Sequence, residues 1–115
     1  MAKYILLLHE NPSHFAHFTP AAVQAMIERY SAWGKKVHAA GRMHQGIKLG
    51  DTGGWHMRSA DGAVSVTDGP YAEAKDVIGG LYMIEAESVE EAHEIASGCP
   101  HVERGWIEIR TVDIA

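Results

Sequence analysis

The sequence predicts an α+β chain in which two β-α-β units are joined through a β-hairpin. Three observations carry this. Two apolar segments, Tyr4–Leu8 and Leu81–Ile84, read as strands. Two stretches with apolar residues at three- and four-residue spacing, after Thr19 and after Ser88, read as helices. Between the units, Asp61-Gly62 separates two extended runs, a strong short-range hairpin signal.

The first strand runs from about Lys3 to His9, and Glu10 to Phe18, with Asn11-Pro12-Ser13, reads as a loop. Thr19-Pro20 supplies an N-cap and a proline at the first helical position, where its missing N–H costs nothing. Val23, Met26, Ile27, Tyr30, Trp33 and Val37 then mark one helical face, and Gly41 ends the helix. A strand follows through Arg42 to Leu49, then a turn over Gly50–Gly54. Trp55–Arg58 and Ala63–Val66 form the hairpin arms. The second unit opens at Val77 and continues through Leu81 to Ala86. Ser88-x-x-Glu91 is a capping box before a helix with Val89, Ala92, Ile95 and Ala96 on its inner face, stopped by Gly98 and Pro100. Trp106 to Val112 is the last strand. The order β-α-β-hairpin-β-α-β is a ferredoxin-like topology with an antiparallel sheet.

Composition narrows the function classes. The 115 residues correspond to one domain, 1–115, with 46% hydrophobic and 22% charged residues, ordinary for a soluble protein. Ten Lys and Arg against fifteen Asp and Glu leave a net charge of −5, which argues against nucleic-acid binding. Tyr4–Leu8 is too short for a signal core or a membrane span. The lone Cys99 excludes an internal disulfide, and a cytoplasmic location is expected. In both apolar strands the two alternating faces are apolar, while right-handed crossovers put both helices on one face. A second copy packed sheet to sheet is the simplest cover for the other, so a homodimer is expected.

Candidate chemistry follows from the same alternation. Trp106, Glu108 and Arg110 share one face of the last strand and Ile107 and Ile109 the other. With the isoleucines toward the helices, Glu108 and Arg110 face a cavity or a dimer partner. They either form a cross-strand ion pair or contact a ligand. His9 ends a strand at the cavity entrance, as a general base or as a side chain tied to a loop. Asp68 either closes an Asx-turn or acts as a general acid or base. Tyr71 is a core aromatic or a pocket wall, and Glu73 and Lys75 orient a polar ligand or pair with each other or with solvent. His38, His93 and His101 read as surface or helix-end residues. His14-x-x-His17, with His9, Glu10, His44 and His56, invites a metal. However, no HExxH or Cys-x-x-Cys pattern fixes a ligand set, so neither metal nor cofactor is expected. Cys99 reads as a small buried residue rather than a nucleophile.

Four blocks together carry a resemblance: Lys3–Leu8, Ala40-Gly41 with Leu49, Val66–Lys75 running into Ile78–Tyr82, and Cys99-Pro100-His101 with Gly105–Arg110. With its Asp68-Gly69-Pro70-Tyr71 core, the chain resembles the DGPF branch of the YCII-related family, with Tyr71 where that branch usually has Phe. The resemblance implies a dimeric α+β barrel. Such barrels include isomerases, lyases and monooxygenases acting on small aromatic or carbonyl compounds without metals. Some YCII-related proteins carry a His on the first helix and an Asp as an acid–base dyad. Here Pro20-Ala21-Ala22-Val23-Gln24 opens the helix, and the dyad does not carry over. The expected function is therefore binding of a small organic molecule in a cavity on the sheet face opposite the helices, lined by His9, Asp68, Tyr71 and Arg110, with or without acid–base catalysis. Because DGPF genes commonly neighbour alternative sigma factors, the alternative is a regulatory protein with a sigma-factor-linked partner.

Overall fold

The computed structural model describes residues 1–50, 54–68 and 76–114. Strand β1, Ala2–Glu10, leads through a short 3-10 turn at Pro12–Phe15 into helix α1, Pro20–Ala39. Strand β2, Met43–Lys48, is followed by the hairpin of β3, Trp55–Ala60, and β4, Ala63–Asp68. Strand β5, Val77–Ala86, helix α2, Val89–Ser97, a 3-10 turn at Pro100–Glu103 and strand β6, Trp106–Thr111, complete the order. The loop expected over Glu10–Phe18 thus holds a 3-10 turn, nucleated where the Asn11 side chain accepts from the Ser13 N–H.

The terminators read from the sequence act as expected. The Thr19 hydroxyl accepts from the Ala22 N–H at 3.1 Å, and Gly41 takes a φ of 72° where α1 ends. At the head of α2 the Ser88 hydroxyl accepts from the Glu91 N–H, while the Glu91 carboxylate accepts from the Glu87 N–H. Glu91 also receives Arg42 in a two-pronged contact, with Nε at 2.8 Å and an Nη at 3.3 Å. Asp61 and Gly62 both have positive φ, 52° and 78°, the geometry a two-residue hairpin turn requires.

The main sheet has the order β2-β5-β1-β6, antiparallel at each junction, as the β-α-β-hairpin-β-α-β reading requires. Alternation sorts its faces. Tyr4, Leu6, Ile84 and Ala86 point to the helices and form the core with Trp33, Val37, Ala92, Ala96 and Cys99. Ile107 and Ile109 pack against this core. The Trp33 indole N–H donates to the Ile95 carbonyl, locking α1 to α2. On the other face Ile5, Leu7, Leu81 and Met83 are half-buried in the single chain. That face is apolar, and among the described residues no helix covers it.

The hairpin forms a separate two-stranded sheet. Its register places Trp55, Met57, Val64 and Val66 on one side, and all four are exposed. The Cα radius of gyration, 16.2 Å, exceeds the roughly 13 Å expected of a compact chain of this length, as a projecting hairpin requires.

Candidate functional site

The strand pairing brings His9 beside β6. His9 lies opposite Trp106, and their rings stack at 3.9 Å with planes 6° apart. The His9 Nε2 lies 3.0 Å from the Glu108 carboxylate, whose other oxygen lies 3.5 Å from an Arg110 Nη. Glu108 therefore pairs across the sheet with His9 and along its own strand with Arg110. These side chains share the face away from the helices, as parity requires. Asp68 sits elsewhere, exposed at the end of the projecting β4 opposite Trp55. Tyr71, Glu73 and Lys75 lie outside the described residues.

A cavity bounded by the described residues lies on the other side of the sheet, between it and the first half of α1. It has a volume of about 500 Å³, and Leu8, Phe15, Met26, Ile27, Tyr30 and Tyr82 supply most of its apolar wall. Of the residues expected around a cavity on the face opposite the helices, His9, Asp68 and Arg110 do not line this one, and Tyr71 lies outside the described residues. The cavity exists because side-chain volume is missing beneath part of α1. Trp33 and Val37 fill the space beneath the second half of α1. Under the first half the sheet presents Gly46, Gly79 and Gly80. A Cβ on Gly80 would stand 2.8 Å from the Ile47 carbonyl oxygen, so the strands close only with glycine there.

The polar groups of the cavity are few. Glu10 and Lys48 come from the ends of β1 and β2, and the Lys48 ammonium donates to the Leu49 carbonyl at 2.6 Å. At the wall, the Tyr30 hydroxyl meets His101 Nδ1 at 2.7 Å. His101 Nε2 in turn lies 2.7 Å from the backbone carbonyl oxygen of His9. His101 is only 2% exposed, so of the two alternatives expected for it, surface or helix-end, the first is overturned; it sits in the 3-10 turn that follows α2. Pro100 turns the chain inward straight after α2, and the imidazole is buried because both ring nitrogens find partners. Gly105 permits this, since a Cβ there would collide with the His9 carbonyl and stand 3.1 Å from His101 Nε2.

Burial, first of all, pushes the Tyr30 hydroxyl well above the ordinary tyrosine range, with the Cys99 thiol adding to the effect and Arg104 opposing it. Tyr82 and Cys99 are raised by burial too. All three are therefore neutral at physiological pH. The site is an apolar chamber with a neutral tyrosine hydrogen-bonded to a histidine in its wall. Tyr30 and His101 are the pair that reading the sequence missed. The available signal was a tyrosine on the inner helical face, whose hydroxyl needs a buried partner.

Among the described residues no three His, Cys, Asp or Glu side chains are grouped to hold a metal ion, and no helix is long and apolar enough to cross a membrane. A solved structure similar to this chain is 5-chloro-2-hydroxyhydroquinone dehydrochlorinase (TftG) from Burkholderia phenoliruptrix AC1100, in complex with 2,5-dihydroxybenzoquinone. It is 15% identical, with a TM-score of 0.49 over 98% of this chain and 95% of that one. No curated protein matches the sequence. The YCII-related domain model matches residues 2–113, nearly the whole length, and the chain belongs to the YCII-related family.

Proposed function

We propose that the protein binds a small, largely apolar organic molecule in the chamber between α1 and the sheet. The observation that carries this is the chamber itself: about 500 Å³, walled by aliphatic and aromatic side chains, with few convergent polar groups. Binding sites for small ligands have this size and this balance. The Tyr30–His101 pair gives the site a means of acid–base chemistry without metal or cofactor. His9 has a supporting role in this reading, because its backbone carbonyl anchors His101. Its side chain, with Glu108 and Arg110, belongs to the outer face.

The working unit we propose is a cytoplasmic homodimer of single-domain chains from the DGPF branch. Its support is the apolar outer face of Ile5, Leu7, Leu81 and Met83, together with the exposed apolar side of the hairpin. A second copy covers the first by sheet-to-sheet packing. The hairpin's Trp55 and Met57, 75% and 71% exposed, also favour a second reading, in which a protein partner, such as one linked to an alternative sigma factor, docks there. Sedimentation equilibrium at micromolar concentration distinguishes these, because a monomer would rule out the homodimer.

The binding reading is tested by native mass spectrometry of the freshly purified protein and a thermal-shift screen of small aromatic, lactone and carbonyl compounds. A co-purified molecule or a stabilising class is expected, and Ile27→Glu at the half-exposed rim should remove the effect without unfolding the chain. Hits insensitive to Ile27→Glu would place binding elsewhere.

A further inference from the structure

The hydrogen bonds around His101 constrain where its protons sit. The His9 carbonyl oxygen can only accept, so His101 Nε2, at 2.7 Å, bears hydrogen. In the neutral imidazole Nδ1 is then the acceptor, and the Tyr30 hydroxyl at 2.7 Å donates to it. With the imidazole in that form, the one hydroxyl proton of Tyr30 is committed to the wall of the chamber. What its oxygen presents to a ligand is a lone pair.

We infer that the chamber selects ligands carrying a phenolic or enolic hydroxyl, which donates to Tyr30, and that Tyr30 and His101 together accept that proton. The inference rests on the chamber being the binding site. A ligand offering only a carbonyl would have to draw the Tyr30 proton away from His101, leaving a buried Nδ1 without a partner. A ligand O–H leaves both existing bonds intact and adds a third.

The transfer balances without a co-reactant. The ligand O–H bond breaks as a new Tyr30 O–H bond forms. The former Tyr30 O–H bond breaks as a His101 Nδ1–H bond forms. The products are a ligand oxyanion, a neutral Tyr30 donating to it, and a His101 imidazolium. In that cation both ring N–H groups are satisfied, one by Tyr30 and one by the His9 carbonyl. Tyr30 itself never becomes an anion, in keeping with the burial that disfavours tyrosinate. The charged and titratable groups around the pair are Glu10 from β1, Tyr82 from β5, and Cys99 and Arg104 flanking the turn that carries His101, with Lys48 of β2 across the chamber.

The test uses 4-nitrophenol and 4-nitroanisole, which share the nitrophenyl ring and differ in that a methyl group replaces the hydroxyl proton. Affinities are measured by calorimetry at a pH where free 4-nitrophenol is neutral, and the bound phenolate band is followed as pH rises. The phenol should bind roughly tenfold more tightly than the ether, the equivalent of one hydrogen bond kept satisfied. Its phenolate band should appear about one pH unit lower than in free solution. Tyr30→Phe should abolish the affinity preference while retaining the ether. His101→Gln should keep phenol binding and abolish the spectral shift. Equal affinities for the two probes, or an unshifted band in the wild type, would overturn the inference and leave the chamber as an apolar binding site. Failure of both probes to bind would overturn the binding reading and this inference with it.

Discussion

Replacing His101 is the most exacting test of how the chamber is built. The imidazole is 2% exposed and spans 2.7 Å contacts on both sides, to the Tyr30 hydroxyl and the His9 carbonyl. His101→Ala removes both at once and opens a void beside the chamber. Each buried polar group left without a partner costs about 1–3 kcal/mol. The Tyr30 hydroxyl can turn toward the chamber and recover part of its share, so the sum comes to about 2–5 kcal/mol. That is a large fraction of the roughly 5–15 kcal/mol that holds a domain folded. It corresponds to a fall in melting temperature of about 8–20 °C for a chain of this size. Two further variants separate the contacts. His101→Asn places an amide oxygen where Nδ1 accepts from Tyr30, and His101→Gln places an amide N–H where Nε2 donates to His9. Each should cost about half as much as alanine. The assay is urea unfolding of all four proteins at equal concentration, with m-values compared to verify that the unfolding transition is the same. An alanine variant within about 0.5 kcal/mol of wild type, the range of ordinary surface substitutions, would refute the reasoning.

Other parts of the structure yield predictions of their own. Arg42, through its hydrogen bonds, holds the Glu91 carboxyl below its ordinary value of 4.5. A depressed carboxyl stabilises the fold fully above that value and loses its contribution as pH falls through the lower, folded-state value. Acid titration of unfolding should therefore show a component on the acid side of 4.5 that is missing in Glu91→Gln; identical profiles would exclude the pair as a source of acid lability. Gly105→Ala should destabilise the protein by more than about 1 kcal/mol in thermal melts, because the added methyl meets the His9 carbonyl where His101 is anchored. Met57→Lys with Val66→Glu, opposite one another on the exposed hairpin face, should shift sedimentation toward monomer if that face is covered by a second copy. An unchanged assembly would confine the interface to the main sheet.

Local signals made most of the fold legible. Thr19-Pro20, Ser88 with Glu91, Gly41 and Asp61-Gly62 each act within a few residues of themselves, and each stands in the structure where its chemistry requires. Parity also carried the facing of β6, since the two apolar positions Ile107 and Ile109 could be buried only together. The site was harder to read, because it is made by pairs remote in sequence. Tyr30 and His101 are 71 residues apart, and the turn that buries His101 follows a helix whose end alone was visible. The side of the sheet on which the chamber opens depends on register. Gly46 stands opposite Tyr82 and Lys48 opposite Gly80, and glycines at those positions create space that no composition reveals. His9 was singled out for its side chain, yet its backbone carbonyl is what bears on the chamber. Main-chain roles leave no mark on residue identity.

The measurement that bears most directly on the central claim is mapping of a bound thermal-shift hit by backbone and methyl NMR. If the chamber between α1 and the sheet is the binding site, the largest shifts should fall on Leu8, Met26, Ile27, Tyr30 and His101, with Arg110 and the other outward-facing residues of β6 quiet. A perturbation centred on His9, Trp106 and Arg110, with the inner face of α1 unmoved, would contradict the account and move the site to the outer face of the sheet.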